Sequence, residues 1–572
     1  MCPKSPHHLL PAARPISNAM LLNRGGSDEI RSLPFVLLTL ATLAVASPLE
    51  NVRTGSWVYG SIDVLKTAGL IQSVPSTSRP WTRAYAARLV KEACESESRY
   101  VRDSSAIRLP ETKPLPRRSG FVEYHLRRLV GEFADELGQT ADADGLRRAR
   151  PLFRIPADSA LVVGVDPAGR VLVDTNNQSA TLGLALSTMT GRDFAFYDLI
   201  EITGFRKRLL SFTDSAGIPH VPGRREDPWV IPTNPEIDNY LVSVPEAYMR
   251  LARSGFELEL GRDYAWWGPS FLSPVMLSDC APSLDGYRFS ASFSRFKFTG
   301  MTSLLSPWQD RQRFLSAQRL EVNLWQRLVL GLGLFATYSP DSARTKDFGG
   351  YLNPLLPLYP TFTNGHWIDN ALVGADFAVF LPHVKLYGQT VVDDYHFSPD
   401  WHDTLDGGPN CTGAQVGVLA DLAGWATLRY EYAAISNYTY YHRNWFLAYT
   451  SYDVPLGHAL GPDADQHYAQ LDVFPSCWGY VSLLGSLTRR GSLNRGDYRS
   501  RTFYYGRPAR FHAFPTGIVE NTLSVGPQLT FNPVSWLRLL SGVQWYTVSN
   551  ADGVTGARRS GLSLDITLGY RY

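Results

Sequence analysis

Hydrophobic positions along this chain recur with two different periods, and the change from one to the other divides it. From Trp57 to about Leu137 the spacing is three and four. Val58, Ile62 and Leu65 fall on one face, and Gly69 stands where a helix C-terminus calls for positive φ. Thr82, after Pro80 and Trp81, is the expected N-cap of a second helix over Arg83 to Val90. Val122, Leu126, Leu129, Val130, Phe133 and Leu137 predict a third, amphipathic helix, and the proline-rich stretch from Asp103 to Gly120 reads as a loop.

From about Ala157 onward the period is two. Leu182, Leu184 and Leu186 alternate with Gly183, Ala185 and Ser187, and Phe256, Leu258 and Leu260 with Glu257, Glu259 and Gly261. Tyr287, Phe289, Ala291 and Phe293 repeat the pattern, as do Leu328, Leu330, Leu332 and Leu334. Alternation puts one set of side chains on each face of a sheet. Short turns such as Thr190-Gly191-Arg192-Asp193 mix with long Gly/Pro/Asp-rich stretches near 340–366, 396–412, 450–470 and 490–520, matching the two ends of a membrane barrel. Leu562, Leu564, Ile566, Leu568, Tyr570 and Tyr572 form a last strand that is apolar on one face and ends on an aromatic, as the assembly signal of outer-membrane proteins does.

Ahead of both regions, Leu33 to Val45 is an apolar run of roughly thirteen residues, of signal-peptide length and too short to span a bilayer. Ala44-Val45-Ala46 supplies a small-x-small cleavage pattern, and Met20 is an alternative start. The expected organisation is a signal peptide over 1–46, a periplasmic helical domain and linker over 47–156, and a transmembrane β-barrel over 157–572. At ~9–11 residues per strand, the roughly 415 barrel residues suit 16–18 strands. The fold class is all-β transmembrane, an antiparallel outer-membrane barrel with a small N-terminal helical domain.

Composition fits this picture without deciding it. Charged residues are 19% and aromatics 12%, as expected where lipid-facing and polar positions alternate, though a soluble sandwich could give the same totals. Lys plus Arg is 55 against 53 for Asp plus Glu, which argues against a nucleic-acid footprint. The five cysteines are scattered singly, with no CxxC pair and no assignable disulfide.

Enzyme signatures are weak. There is no GxSxG elbow, HExxH helix or phosphate-binding loop, and Gly331-Leu332-Gly333 sits within an alternating strand, where packing explains it. Asp393-Asp394, near His396 and His402, could in principle activate water. Neighbours in a strand face opposite ways, however, so a salt-bridge role in the lumen or a loop is the better reading. The densest constellation is Gly261-Arg262-Asp263-Tyr264-Ala265-Trp266-Trp267-Gly268-Pro269. Its indoles could stack on sugar rings while Arg262 and Asp263 bond hydroxyls or a uronate. Equally, it could be an interior salt bridge beside an aromatic girdle.

Taken in order, several of these segments resemble the Wzi family of outer-membrane capsule assembly proteins. The resemblance runs through Trp57-Val58-Tyr59, Gly69-Leu70-Ile71 and Arg79-Pro80-Trp81-Thr82-Arg83. It continues at Gly261-Arg262-Asp263, Trp267-Gly268-Pro269, Leu284-Asp285, Arg319-Leu320 and Tyr351 to Pro357. Asp393-Asp394, Gly457-His458 and Gly461-Pro462-Asp463-Ala464 complete it. The chain departs from the pattern at Gln318, where the family suggests His, at Cys280, where it suggests a small polar residue, and over 99–156, which has no counterpart.

The resemblance implies a barrel of about eighteen strands with a helical bundle at its periplasmic end, and a lectin-like role in attaching exported polysaccharide to the cell surface. It requires no cofactor, no metal and no catalytic residue. Arg262, Asp263, Trp266, Trp267, Asp393 and Asp394 are the candidate glycan-binding residues. Expected partners are capsular or surface polysaccharide, outer-membrane lipid and lipopolysaccharide, and the barrel assembly machinery. The rival functions are a porin or sugar channel, and an outer-membrane hydrolase.

Overall fold

The computed structural model of the protein describes residues 49–106, 120–134, 136–137, 153–157, 161–174, 178–190, 193–205, 212–213, 219–220, 231–232, 240–308, 311–339, 369–394, 410–422, 424–442, 444–492, 514–534 and 537–570. The expected signal peptide, Tyr351 to Pro357, His396 and His402 lie outside them.

The three-and-four spacing forms helices. Ser56 caps α1 (Trp57–Thr67) by accepting from the Val58 amide, and Gly69, at φ 80°, terminates it. The Thr82 hydroxyl accepts from the Tyr85 amide at 3.2 Å and so caps α2 (Arg83–Ala106). This helix runs well past Val90, because Glu92 to Ala106 contains neither glycine nor proline to stop it. With α3 (Gly120–Glu132), these helices bury Val58, Ile62, Leu65, Leu89, Val90, Leu129 and Phe133 in one small core.

The period-two region forms a single antiparallel sheet. Its long strands are β1 (Leu161–Asp174), β2 (Gln178–Thr190), β3 (Phe194–Phe205), β4 (Tyr240–Arg253), β5 (Phe256–Asp263) and β6 (Leu284–Phe293). There follow β7 (Phe296–Trp308), β8 (Arg311–Leu324), β9 (Leu328–Tyr338), β10 (Asn370–Leu381), β11 (Val384–Asp394) and β12 (Cys411–Leu422). The last are β13 (Ala426–Ile435), β14 (Ala464–Ser476), β15 (Gly479–Arg490), β16 (Glu520–Val534), β17 (Leu537–Ser549) and β18 (Arg558–Tyr570). Among the described residues the sheet has 20 strands, two of them short pieces, Phe153–Ala157 on β1 and Ile231–Pro232 on β4. The other eighteen close into a ring, β18 pairing with β1 from Asp565↔Asp174 to Tyr570↔Gly169. A closed sheet leaves no edge for lipid to solvate, which is what membrane spanning by strands requires.

The outer face is apolar. Leu182, Leu332, Leu483, Val543 and Leu562 are all exposed, Leu562 by 65%. Their sequence neighbours turn inward and are mostly polar or small, as Thr181, Gly331, Ser482, Gln544 and Ser563 are. The ends differ as well. At one end the strands turn within two or three residues, as at Ser254-Gly255, where both φ angles are positive and Gly255 leaves no space for a Cβ. Trp325, Trp425 and Trp478 stand exposed at three of these tight turns, like an interfacial aromatic belt. Longer connections gather at the other end, which by the usual asymmetry of such barrels faces outward. No described helix is long and apolar enough to cross a membrane.

Candidate functional site

The helical domain sits at the tight-turn end and sends one segment into the lumen. After α1 the chain runs through Ser76, Thr77, Ser78 and Arg79, a finger of hydroxyls and one cation. Wall carboxylates meet it. Glu321 accepts from the Ser76 hydroxyl at 2.6 Å, and from the Thr77 amide and hydroxyl at 2.8 and 2.7 Å. Arg319, fully buried, bonds Asp376 at 2.6 and 3.0 Å, Thr77 at 2.7 Å and Ser78 at 2.9 Å. The guanidinium is thereby matched on every side, the condition under which a buried ion pair is tolerated. Gly331 makes room for it: a Cβ there would lie 2.2 Å from Asp376 and 2.6 Å from Arg319. That glycine is therefore packing, as expected, and not a nucleotide loop.

A second cluster closes the adjacent sector. Asn51 bonds Glu259 at 2.9 Å, Asp263 at 2.8 Å and Arg250, while Arg288 bridges Glu259 and Asp263 at 2.6 and 2.8 Å. Lys385 pairs with Asp63 of α1 at 2.6 Å, and Arg53 with Glu201 and Glu246, both at 2.9 Å. In the helical domain itself, His125 Nδ1 meets the Ser61 hydroxyl at 2.9 Å. Burial first, then the neighbouring Arg429 and Arg128, push this imidazole well below its ordinary pKa.

The sequence candidates lie within or beside these clusters. Arg262 and Asp263 do not pair with each other: Arg262 binds Asp285 at 2.5 and 2.8 Å, and Asp263 joins the Asn51–Arg288 cluster. Trp266 and Trp267 form a two-residue strand against Ser78 and Arg79 of the finger. They are 3% and 1% exposed. The Arg79 guanidinium lies 4.6 Å from the Trp266 ring, so the protein's own cation occupies that indole face. Trp267 packs with Val275, Met276, Leu277 and Phe335. Asp393 is buried and accepts from the Tyr440 amide at 2.7 Å, anchoring the connection between β13 and β14 inside the barrel. Of Asp394 only the backbone is described, beyond a bulge after Val392. The bulge replaces the regular strand geometry expected at that pair.

Sequence reasoning missed two connections that fold inward, 264–283 and 436–463. Val275, Met276 and Leu277 of the first pack against Tyr440, Tyr449, Leu456 and Leu460 of the second. Between these loops and the inner wall of β14 to β17 is a cleft of about 380 Å³. Ser273, His458, Gln466, Tyr468, Ser486, Arg490, Ser524 and Gln544 supply its polar lining. Gln466 bonds Thr488 at 2.9 Å, Ser524 bonds Gln544 at 2.8 Å, and Tyr468 bonds Gln470 at 2.6 Å. Each amide and hydroxyl keeps further donor or acceptor capacity. His458 Nδ1 accepts from the Leu460 amide at 3.1 Å, and burial pushes its pKa down to about 3, keeping the ring neutral. Leu272, Ala459, Leu460 and Leu484 complete the lining, so amides, hydroxyls and one arginine stand beside apolar surface, a combination matched to the hydroxyls and C–H faces of a sugar. The polar positions alternating along β14 were the sequence signal for it. Among the described residues no group of three His, Cys, Asp or Glu could hold a metal ion, and the cysteines Cys94, Cys280, Cys411 and Cys477 are free thiols.

A closed ring of strands, apolar outside and plugged by charged contacts inside, defines an outer-membrane β-barrel. The chain belongs to the capsule assembly protein Wzi family, whose model matches residues 173–474. Among solved structures it is similar to Wzi of Escherichia coli, an outer membrane protein involved in group 1 capsule assembly and a carbohydrate-binding β-barrel. That likeness has a TM-score of 0.55 and 13% identity, and covers 91% of this chain and 99% of the other. It is also aligned with OccK1 of Pseudomonas aeruginosa, at TM-score 0.40 and 9% identity over 72% of this chain and 98% of the other. OccAB1 of Acinetobacter baumannii aligns at TM-score 0.40 and 9% identity, over 75% and 99%. No curated protein matches the sequence.

Proposed function

We propose that this barrel is a lectin-like protein that binds exported polysaccharide at the cell surface and helps to attach or organise the capsule, without turning it over. The observation that carries the reading is the cleft on the long-connection side of a plugged lumen, where amides and hydroxyls stand beside leucine side chains. The family and the carbohydrate-binding Escherichia coli protein support the same reading. On this proposal residues 47–156 are the periplasmic plug and its linker, and 157–572 the barrel. Lipid and lipopolysaccharide surround the apolar belt, and the barrel assembly machinery reads the terminal strand.

Because their faces are covered, Trp266, Trp267, Arg262, Asp263 and Asp393 serve the binding indirectly, by holding the finger and the inward loops in place. Ser486→Trp tests the cleft directly. Filling the space with an indole should move polysaccharide from the cell into the medium while barrel yield and heat-modifiable migration stay normal. Unchanged retention with this variant rejects the cleft. A chain-length change in the polysaccharide would instead indicate hydrolysis, and solute uptake without a retention defect would indicate a channel.

A further inference from the structure

A second cavity, of about 500 Å³, opens at the tight-turn end, on the far side of the finger from the cleft. Its walls are the start of α2 and the inward residues of β5 to β8. Both carboxylates that line it are already engaged. Glu321 takes Ser76, Thr77 and, at 3.6 Å, Arg319. Glu257 takes Ser290 at 3.3 Å and Arg250 at 3.5 Å. Three cations share the same space. Arg88 lies over the Tyr85 ring at 5.0 Å, Lys297 reaches the Ser76 hydroxyl at 3.5 Å, and Arg295 makes no ion pair among the described residues. Around them Ser73, Ser292, Ser294, Asn323 and Gln326 present hydroxyls and amides.

We propose that this mouth cavity is a second saccharide site, specific for an acidic sugar of the uronate type reaching the barrel from its periplasmic side. The cations take the ring carboxylate, and the serines and amides take hydroxyls. Trp81, Phe296 and Trp325 complete the lining with apolar surface, against which the C–H face of a sugar ring packs. The proposal rests on the reading of the protein as a polysaccharide binder, yet it concerns different residues on the opposite side of the finger.

The test uses full-length protein in detergent and isothermal titration with a glucuronate-containing tetrasaccharide, alongside its carboxyl-reduced neutral form. All measurements are made in the Ser486→Trp background, where the surface cleft is filled. The acidic fragment should still bind, and Arg88→Gln with Lys297→Gln should weaken it by about tenfold or more, as loss of charge-assisted bonds does. Arg88→Gln alone, on the exposed face of α2, carries the test should Lys297→Gln impair folding. Equal affinity for the acidic and neutral fragments overturns the proposal, as does an affinity indifferent to both charge changes. Loss of all binding on Ser486→Trp also overturns it and leaves the cleft standing. If instead Ser486→Trp leaves capsule retention intact while the charge variants weaken binding, the surface reading fails and the mouth site survives.

Discussion

The inner wall of the barrel has two unlike halves. From β3 to β14 many inward side chains are charged and buried: Arg250, Glu259, Arg319, Glu321, Asp376, Lys385 and Glu431 lie against the finger, the helical domain or the inward loops, and Asp472 pairs with Arg429 of the wall. From β15 through β18 and on to β2 many are neutral or singly charged and half-buried, as at Ser486, Thr488, Ser524, Gln544, Ser563, Asp565 and Thr181. Charge in this barrel thus goes where it can be matched by the plug, since an unmatched buried ion costs several kcal/mol. Neutral polar groups go where water or a ligand supplies the partners. Plug contacts and the neutral wall are thereby separated around one ring, and the proposed binding cleft lies where the two halves meet.

The separation can be broken at its charged side and in the packing beside it. Asp376→Ala leaves the buried Arg319 with only the more distant Glu321, at 3.6 Å, and should destabilise plug docking by about 3 kcal/mol, read as protease access to α1 and α3 and as new conductance in planar bilayers. Adding Arg319→Met to Asp376→Ala should recover most of the loss. Replacing Trp266 and Trp267 by Ala comes next, at about 3–5 kcal/mol for each buried indole. Folded yield and plug protection should fall before polysaccharide retention does; a retention loss with intact protection would restore the sugar-stacking role.

The smallest effect is a pH dependence in the plug. His125 is held neutral below its ordinary pKa of 6.5, whereas the undocked, unfolded plug takes up a proton near that value. Stability is therefore complete above about pH 6.5 and falls below it, by at most about 1.4 kcal/mol per pH unit. Protease protection at pH 5 against pH 7 measures it, and His125→Gln should flatten the difference.

How far the sequence discloses this depends on the range of each interaction. The Thr82 cap, the Gly69 terminus and the alternation of Leu562 to Leu568 involve near neighbours, and each is readable from spacing alone. The inward loops are not, because Val275-Met276-Leu277 has no period and finds Tyr440 and Tyr449 more than 160 positions away. The same limit applies to Arg262 and Asp263: adjacency suggested one shared role, but the strand gives them to separate partners. The Trp pair was legible as important and illegible as to why, since only the finger explains its burial.

The ring closes where the first and last strands meet, in the half that carries no plug ion pairs among the described residues; Arg53 and Lys385 tie the plug to β3, β4 and β11. This places the seam late in time as well as far in space. The helices precede every strand of the barrel in the chain, so a growing sheet can wrap around an already folded plug and engage its charges strand by strand. The final zippering of β18 onto β1 then disturbs none of those bonds, and a transient parting of that seam would open the wall sideways with the plug still seated.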